Sequence, residues 1–311
     1  MLPVILIAVP LIAQVQISRQ SDRVAVTIDG RESTSFYYGP QVTKPYLWPL
    51  RCASGTELTR HWPMEIVEGD PHDHIHHRGL WFGHSLVNGF DFWNSDPSYH
   101  NAKMGTTVVT GIDRADGGKD LGTLAAELEW RDPAGRILLS EKRTFVFHAG
   151  DPRVVDLDVV LTAREDVTFG DEKDGVFGIR LAHELEEPLV ADPVRTGHMT
   201  SSEGCHQEAG CWGKRADWVD VSGRFTSGPA GVAVFDHPEN PRFPTYWHVR
   251  GYGLLAANIF GVKAFTEDAA ADGGLKLTRG QTLRFRYRVV LHTGDAASAK
   301  IQDLYRVWTL R

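Results

Sequence analysis

The chain has 311 residues, enough for one large β domain or for two ordinary domains. Hydrophobic residues make up 42% and charged residues 23%, the composition of a soluble globular protein. The net charge of −7 gives no sign of a nucleic-acid-binding surface, and no apolar run is long enough to span a bilayer. We therefore expect neither a nucleic acid nor an integral membrane protein as a partner.

The first thirteen residues, MLPVILIAVPLIA, are apolar and uncharged. They resemble the hydrophobic region of a signal peptide, with cleavage near Ala13–Gln14. The run departs from that pattern because no Lys or Arg precedes it, and because Pro3 and Pro10 interrupt it. We expect export to the periplasm or the extracellular space. The alternatives are an apolar first strand, or a start of the chain that has been trimmed or wrongly assigned.

Runs of alternating apolar and polar residues recur along the rest of the chain, with turn residues between them. Asp29-Gly30 separates the first two runs, which predicts a hairpin. The predicted strands are 24–30, 33–39, 104–113, a meander over 121–164, 175–185, 212–225, 231–238 and 277–294. Residues 197–213 are predicted as a loop, and only residues 296–308 have helical spacing. The pattern predicts an all-β antiparallel sandwich with a short C-terminal helix, in a single domain over residues 14–311.

A histidine-rich stretch runs from Asp70 to Trp93. It contains His72, His74, His76, His77 and His84. If residues 72–76 are extended, alternate side chains share a face, so His72, His74 and His76 would lie together. Such a face can bind a transition metal or supply acids and bases that titrate near neutral pH. The alternative is a polar loop whose histidines have no common role, but the nearby Arg78 and Asp91 favour a functional site.

A second group of polar residues lies on later predicted strands. Arg180 lies between Gly178 and Ala182 on one face of the strand 175–185, and Asp174 directly precedes this strand. An arginine between small residues either reaches into a cavity or forms an ion pair on a solvated face. His248 lies in the run 243–261, where it is either a site residue or a buried histidine with a packing role.

The three cysteines, Cys52, Cys205 and Cys211, do not have the spacing of a zinc ribbon. Cys205 and Cys211 can pair in an oxidising compartment or stay free, and their spacing alone leaves the choice open. Cys52 is expected in the core.

Several stretches of the chain carry a resemblance to a known family. They are KPYLWPLRCASGTELTR, HDHIHHRGLWFGHSLVNGFDFW, KDGVFGIRLAHEL, WGKRADWVDVSG, GVAVFDHPENPRFPTYWHVRGYGLLAANIFG and LRFRYRVVLHTGD. In this order they resemble motifs of the PmoA-like family of bacterial proteins, which carry the label methane oxygenase but whose function is poorly established. Ile75 and Ser85 depart from the Pro and Gly that are usual in the family, and neither change removes a polar group.

The alternating strands and the ending RFRYRVVLHTGD are also similar to those of galactose-mutarotase-like proteins. This resemblance implies an antiparallel β-supersandwich with a carbohydrate-binding cleft. The methane oxygenase label would instead imply several membrane spans, which the sequence lacks.

These features favour a secreted carbohydrate-active enzyme, which would be a lyase, hydrolase or epimerase acting on a sugar or keto-sugar in a His-rich cleft. Histidines and carboxylates would move protons, an arginine would neutralise an oxyanion, and tryptophans would stack on the sugar. The candidate catalytic residues are His74, His77, Arg78, His84, Asp91, Asp174, Arg180 and His248. The candidate sugar-binding residues are Trp81, Trp212 and Trp247.

Two further hypotheses stay open. A non-catalytic glycan-binding module would have aromatic platforms without a coupled acid and base. A copper or iron oxidase, as the family label suggests, would use imidazole ligands from His72, His74 and His76. The cofactor is unknown, one divalent metal ion being the candidate, and the expected partner is a small carbohydrate or a glycan.

Overall fold

The computed structural model describes residues 14–310, so the predicted signal peptide, residues 1–13, lies outside the described residues. In chain order the strands of this part are β1 (Val15–Arg19), β2 (Arg23–Ile28), β3 (Arg31–Tyr37), β4 (Tyr46–Trp48), β5 (Leu80–His84), β6 (Thr106–Asp116), β7 (Leu121–Arg131), β8 (Ile137–His148), β9 (Arg153–Ala163), β10 (Val167–Phe169), β11 (Gly175–Arg180), β12 (His198–Ser201), β13 (Trp218–Phe225), β14 (Gly228–Asp236), β15 (Tyr246–Arg250), β16 (Leu254–Asn258), β17 (Leu275–Leu277) and β18 (Thr282–Thr293). The α-helices are α1 (Gln207–Cys211), α2 (Val262–Thr266) and α3 (Ile301–Thr309), and a 3-10 turn spans His183–Leu185.

Most of the strands form two eight-stranded antiparallel sheets. The first sheet has the order β1-β2-β3-β4-β5-β11-β16-β15, and the second has the order β12-β13-β14-β18-β9-β8-β7-β6. β10 and β17 form a separate pair. The predicted all-β antiparallel sandwich with a short C-terminal helix is therefore confirmed. No helix within residues 14–310 has the length and apolar character needed to cross a bilayer.

The first hairpin forms where the sequence predicts it. Asp29 and Gly30 join β2 to β3 with φ angles of 54° and 75°. Both angles lie in the left-handed region, which Gly enters without strain and Asp enters more readily than most residues. The turn fixes the register of the two strands, in which Val24 pairs with Phe36.

The two sheets pack against each other through buried aromatic side chains. The ring centroids of Phe36 and Phe145 are 5.5 Å apart, and so are those of Phe82 and Phe285. Each pair joins a strand of the first sheet to a strand of the second. Because full burial of one such side chain contributes about 1.5–3 kcal/mol, this layer holds the sheets together.

The opposite face of the first sheet carries the candidate site. Trp81, Gly178, Ala256 and His248 are successive cross-strand partners on β5, β11, β16 and β15. Directly opposed residues of neighbouring strands project from the same face of a sheet. Gly178 leaves room for an indole from a loop, because a Cβ atom there would lie 2.7 Å from the Trp93 ring. The small residues in this row therefore let other groups approach the sheet closely.

The C-terminal helix covers part of the outer face of the second sheet. The sequence predicts a helix over 296–308, whereas α3 begins at Ile301. Asp295 accounts for the later start, since its carboxylate accepts a hydrogen bond from the Ser298 N–H at 2.8 Å and so forms a turn. Tyr305 then packs on Phe235 with ring centroids 5.5 Å apart.

The segment predicted as a loop over 197–213 contains β12 and α1, and the strand predicted from Trp212 begins only at Trp218. Gly213 separates α1 from the strand with a φ of 67°. Cys205 and Cys211 form a disulfide across α1, and Cys52 is buried and free. The cross-link explains why a helix of five residues is ordered here, because short helices are unstable by themselves.

Replacing both cysteines, in a Cys205→Ser/Cys211→Ser variant, should lower the free energy of unfolding by about 2 kcal/mol. The disulfide joins two residues with a sequence separation of 6. When the disulfide is removed, the unfolded chain regains the conformational entropy that this loop had lost. Urea unfolding with and without a reductant measures the effect. The reductant should destabilise the wild type and leave the variant unchanged; equal effects on both proteins would contradict the assignment.

Candidate functional site

A cavity of about 460 Å³ opens on the outer face of the first sheet. Four of the histidines line it, together with two cations, one carboxylate and two aromatic rings. The lining residues are His74, His76, His77, Trp93, Asn94, Lys173, Asp174, His248, Arg250, Tyr252 and Leu254. The structure thus brings His74, His77, Asp174 and His248 of the predicted catalytic set to one cavity.

Arg60 organises the loop that carries the histidines. Its side chain is fully buried, and the guanidinium donates hydrogen bonds to the backbone carbonyls of Trp62 at 3.0 Å, Asp73 at 2.9 Å and His74 at 3.1 Å. It also forms an ion pair with the Asp73 carboxylate. The sequence pattern does not reveal this role of Arg60. Its position directly before His61 and Trp62 is the signal that could have suggested it.

Asp73 links the buried arginines to a cavity histidine. Its carboxylate pairs with Arg60, accepts a hydrogen bond from Arg180 at 2.7 Å and lies 2.8 Å from Nδ1 of His74. Burial alone would raise the pKa of Asp73, but the His74 hydrogen bond and the charges of Arg180 and Arg60 hold it well below its ordinary value. Asp73 is therefore an anion at neutral pH.

His74 is held in a fixed orientation at the cavity wall. Its backbone has a φ of 41°, in the left-handed region. Its ring lies nearly parallel to the rings of Tyr252 and His77, each with a centroid distance of 4.8 Å. Because the Asp73 carboxylate only accepts hydrogen bonds, Nδ1 carries the hydrogen, and Nε2 is the ring nitrogen left for a ligand.

The histidine stretch is not extended, which corrects the expectation that His72, His74 and His76 share a face. The backbone N–H of His77 donates to the carbonyl of His74 at 2.8 Å, so the chain turns between them. The exposed His72 stacks on Trp62 with a centroid distance of 4.1 Å. No group of three or more metal-ligating side chains forms within residues 14–310, so the proposed ligand set does not fit a metal ion.

Burial holds two cavity histidines neutral. It lowers the pKa of His76 to about 2, with the charge of Lys44 adding to the effect. The pKa of His77 is also far below its ordinary value because of burial, with His76 and Arg180 contributing. Arg180, which can only donate, lies 3.4 Å from Nδ1 of His77, so that nitrogen is the unprotonated one. Nδ1 of His76 is buried and has no hydrogen-bond partner within residues 14–310.

His248 and Asp174 also line the cavity. Nδ1 of His248 lies 3.0 Å from the Lys173 carbonyl, and because a carbonyl only accepts, this nitrogen carries the hydrogen. Nε2 is then an acceptor. Burial lowers the pKa of His248 to about 4, although the negative charge of Asp174, whose Oδ1 lies 3.7 Å from Nδ1 of His248, acts to raise it. His248 is neutral at pH 7 and its tautomer is fixed.

Arg180 lies below the cavity and not in its wall, which corrects the expectation that it contacts a ligand. The side chain is fully buried, and its guanidinium carbon lies 4.7 Å from the centre of the Tyr252 ring. It holds Asp73 and Tyr252, so its role is to position cavity residues.

Three other predicted catalytic residues lie outside the cavity lining. Arg78 forms an ion pair with Asp96 at 2.7 Å. His84 is fully buried and lies 2.9 Å from the Gly170 carbonyl. The Asp91 carboxylate accepts hydrogen bonds from the backbone N–H groups of Trp93 and Asn94, both at 2.9 Å. Asp91 therefore positions Asn94, which does line the cavity.

None of the predicted sugar-binding tryptophans lines the cavity. Trp81 and Trp247 are fully buried, because His77 covers the ring of the first and the indole of the second donates to the Ala216 carbonyl at 2.9 Å. Trp212 packs on Phe265 away from the cavity. Tyr252 and Trp93 are the aromatic residues that line the cavity instead.

His61 fixes the start of the histidine loop, and its protonation should make stability depend on pH. It lies 3.1 Å from Asp70 and 3.0 Å from Glu57, and these hydrogen bonds raise its pKa to about 10 against the effect of burial. This value exceeds the ordinary value of 6.5. The stabilisation is therefore complete below pH 6.5 and is lost as the pH rises towards about 10.

We expect the free energy of unfolding to fall by roughly 1 kcal/mol between pH 6.5 and pH 10 because of His61, after allowance for its partial exposure. A His61→Gln variant should not show this fall in the free energy of unfolding. Urea unfolding at both pH values compares the two proteins. If the free energy of unfolding falls by the same amount in both proteins, His61 is not the source of the pH dependence.

Comparisons with known proteins give a family and a set of similar folds. A family model described as "Family of unknown function (DUF6807)" matches residues 23–306. No curated protein sequence matches the chain. The fold is similar to heparan sulfate lyase HepC from Pedobacter heparinus, with 9% identity and a TM-score of 0.41, over 90% of this chain and 37% of that chain.

Two further similar structures have comparable values. One is a galactose mutarotase-like protein from Clostridium acetobutylicum, with 9% identity, a TM-score of 0.44 and coverage of 90% of this chain and 98% of that chain. The other is the α-galactosidase from Lactobacillus brevis, with 10% identity, a TM-score of 0.42 and coverage of 90% of this chain and 40% of that chain. The chain thus spans less than half the length of the lyase and the galactosidase.

Proposed function

The chain belongs to DUF6807, a family of unknown function, and for this member we propose that the cavity binds a carbohydrate and moves protons to and from it. The observation that carries the proposal is the pair of histidines with fixed tautomers. Asp73 holds Nδ1 of His74 and the Lys173 carbonyl holds Nδ1 of His248, while both residues line the same cavity. Each Nε2 is thereby the ring nitrogen left to exchange a proton with a ligand.

The groups around these histidines suit a sugar with a carbonyl or carboxylate group. A base that removes a proton from the carbon next to such a group generates negative charge on oxygen, and Lys173 and Arg250 line the cavity as cations that can neutralise it. An epimerase would return a proton on the other face of that carbon. A lyase would protonate the departing alcohol oxygen as the C–O bond breaks. A hydrolase would also need a paired acid and base.

The shape of the cavity also fits a carbohydrate. Its volume of about 460 Å³ is within the usual range of small-molecule sites. Tyr252 supplies a ring against which the C–H face of a sugar can pack, and the polar lining can pair with hydroxyl groups. The buried Nδ1 of His76, which has no protein partner within the described chain, adds one more group that a hydroxyl can satisfy.

A non-catalytic glycan-binding function is the second candidate. The pKa values of about 2 for His76 and about 4 for His248 favour it, because these imidazoles stay neutral and suit hydrogen bonding to hydroxyl groups better than proton donation at pH 7. The PmoA-like resemblance with its oxidase hypothesis, the export of the chain and its single-domain organisation all stay predictions.

The test is a screen of neutral and acidic sugars in D2O, followed by proton NMR. Only when the protein is present, we expect deuterium at carbon in an isomerised product, loss of a carbon-bound proton in an eliminated product, or a hydrolysed product without exchange. Binding without exchange or product would favour the glycan-binding candidate. If no sugar in the screen binds or reacts, the proposed function is wrong.

A further inference from the structure

We propose that the carbohydrate is an oligosaccharide, and that a second groove beside the cavity binds the neighbouring sugar units. This inference rests on the proposed function and specifies its substrate class. The second groove has a volume of about 630 Å³. Its lining includes Thr43, Ser95, Tyr99, Asn101 and Arg131.

The groove and the cavity adjoin each other. Asn94 lines the cavity and the next residue, Ser95, lines the groove. The ring of His76, in the cavity, lies 6.1 Å from the ring of Tyr99, in the groove, measured between centroids. One short loop and one aromatic contact therefore separate the two sites, so a chain of linked sugars can occupy both.

Tyr99 provides the aromatic surface that the tryptophans do not provide. It is 39% exposed, whereas Trp81 and Trp247 are fully buried. Its backbone N–H donates to the Asp96 carbonyl at 3.0 Å, and the Asp96 carboxylate is held by Arg78 at 2.7 Å. The loop that presents the ring is thus anchored by a half-buried ion pair, which reduces the entropy lost when a ligand binds. This gives Arg78 a positioning role outside the cavity.

The groove also contains a polar group with no protein partner. Ser95 is 2% exposed and lines the groove, and its hydroxyl has no hydrogen-bond partner within residues 14–310. Leaving a buried hydroxyl unpaired costs free energy that a ligand hydroxyl can recover. An apolar ligand would not satisfy this group, whereas a sugar would.

Affinity should therefore rise with chain length until both sites are filled. Calorimetric titration with two ladders, cello-oligosaccharides and oligogalacturonates from one to six units, measures this dependence. In one of the two series we expect the tetrasaccharide to bind at least about tenfold more tightly than the monosaccharide, because additional contacts with the protein are made without a second association step. A Tyr99→Ala variant should reduce the ratio of tetrasaccharide to monosaccharide affinity by about tenfold, which is the effect of one lost aromatic contact.

Two further variants serve as controls. Tyr99→Phe keeps the ring and should keep the ratio, and Leu121→Ala removes a similarly exposed side chain on β7 and should leave the ratio unchanged. If monosaccharide and tetrasaccharide bind equally well, or if Tyr99→Ala keeps the ratio, the second groove is not a subsite, although the proposed function stands. If no member of either ladder binds, the oligosaccharide inference is contradicted, and the deuterium screen alone decides the proposed function.

Discussion

An Arg60→Met variant should be about 3–5 kcal/mol less stable than the wild type, because it removes a fully buried guanidinium and leaves the Asp73 carboxylate and several backbone carbonyls without this donor. Arg60 is fully buried and donates to the carbonyls of Trp62, Asp73 and His74. Methionine keeps an unbranched apolar chain but is shorter than arginine and has no donor. The histidine loop should therefore lose its fixed conformation even where the protein remains folded. Urea unfolding gives the free energy directly.

The matched control is Arg51→Met. Arg51 also pairs with carboxylates, Glu32 at 2.7 Å and Glu57, but its side chain is 21% exposed, and ion pairs in contact with solvent contribute about 0–1 kcal/mol. The difference between the two variants isolates the effect of burial. A loss in Arg60→Met no larger than the loss in Arg51→Met would show that Arg60 does not organise the loop.

A His74→Gln variant should lose activity by about 10²–10⁴-fold in the reaction that the deuterium screen identifies, because that is the usual contribution of one general acid–base group. The fall should appear in kcat, with a smaller change in KM, since glutamine can still form a hydrogen bond to a sugar hydroxyl. The His74 side chain is 39% exposed, so the free energy of unfolding should change by less than about 1 kcal/mol. Initial rates and urea unfolding measure the two quantities.

His72→Gln is the control for this variant. His72 lies two residues away, is exposed and stacks on Trp62 outside the cavity lining. Its replacement should leave kcat unchanged. Equal losses in His72→Gln and His74→Gln would indicate a general effect on the loop and would remove the catalytic assignment of His74.

The sequence predicts the fold well because strand formation here follows local patterns. Buried and solvent-facing residues alternate on β9 and β18, and this local pattern predicts strands. The Asp29-Gly30 turn likewise sets the register of the first hairpin. The late start of α3 depends on the turn made by Asp295, which helical spacing does not reveal.

The site is predictable only in part. His74, His77, Asp174 and His248 are found together, because polar residues in loops and at strand ends tend to form sites. The predicted extended arrangement of the histidine stretch is wrong. His74 has a left-handed φ, and its carbonyl accepts a hydrogen bond from Arg60, which lies outside the stretch, so local alternation does not reveal this conformation.

The tryptophans illustrate the same limit on prediction. Trp81 lies on the outer face of its sheet, as a ligand-binding residue would, but a stacked His77 covers it. Whether an aromatic residue is exposed depends on which loop covers it, and this information is not local. Tyr99, by contrast, is exposed in a loop that the sequence pattern did not distinguish.

The most direct test of the proposed site is nitrogen NMR of the histidine rings during titration with an oligosaccharide that the ladders identify. We predict that His248 is neutral at pH 7, with its hydrogen on Nδ1, and that the Nε2 resonances of His74 and His248 shift as the sugar binds. The Nε2 resonance of His72 should stay in place. Saturable binding that shifts other residues but neither His74 nor His248 would place the carbohydrate elsewhere and contradict the proposed site.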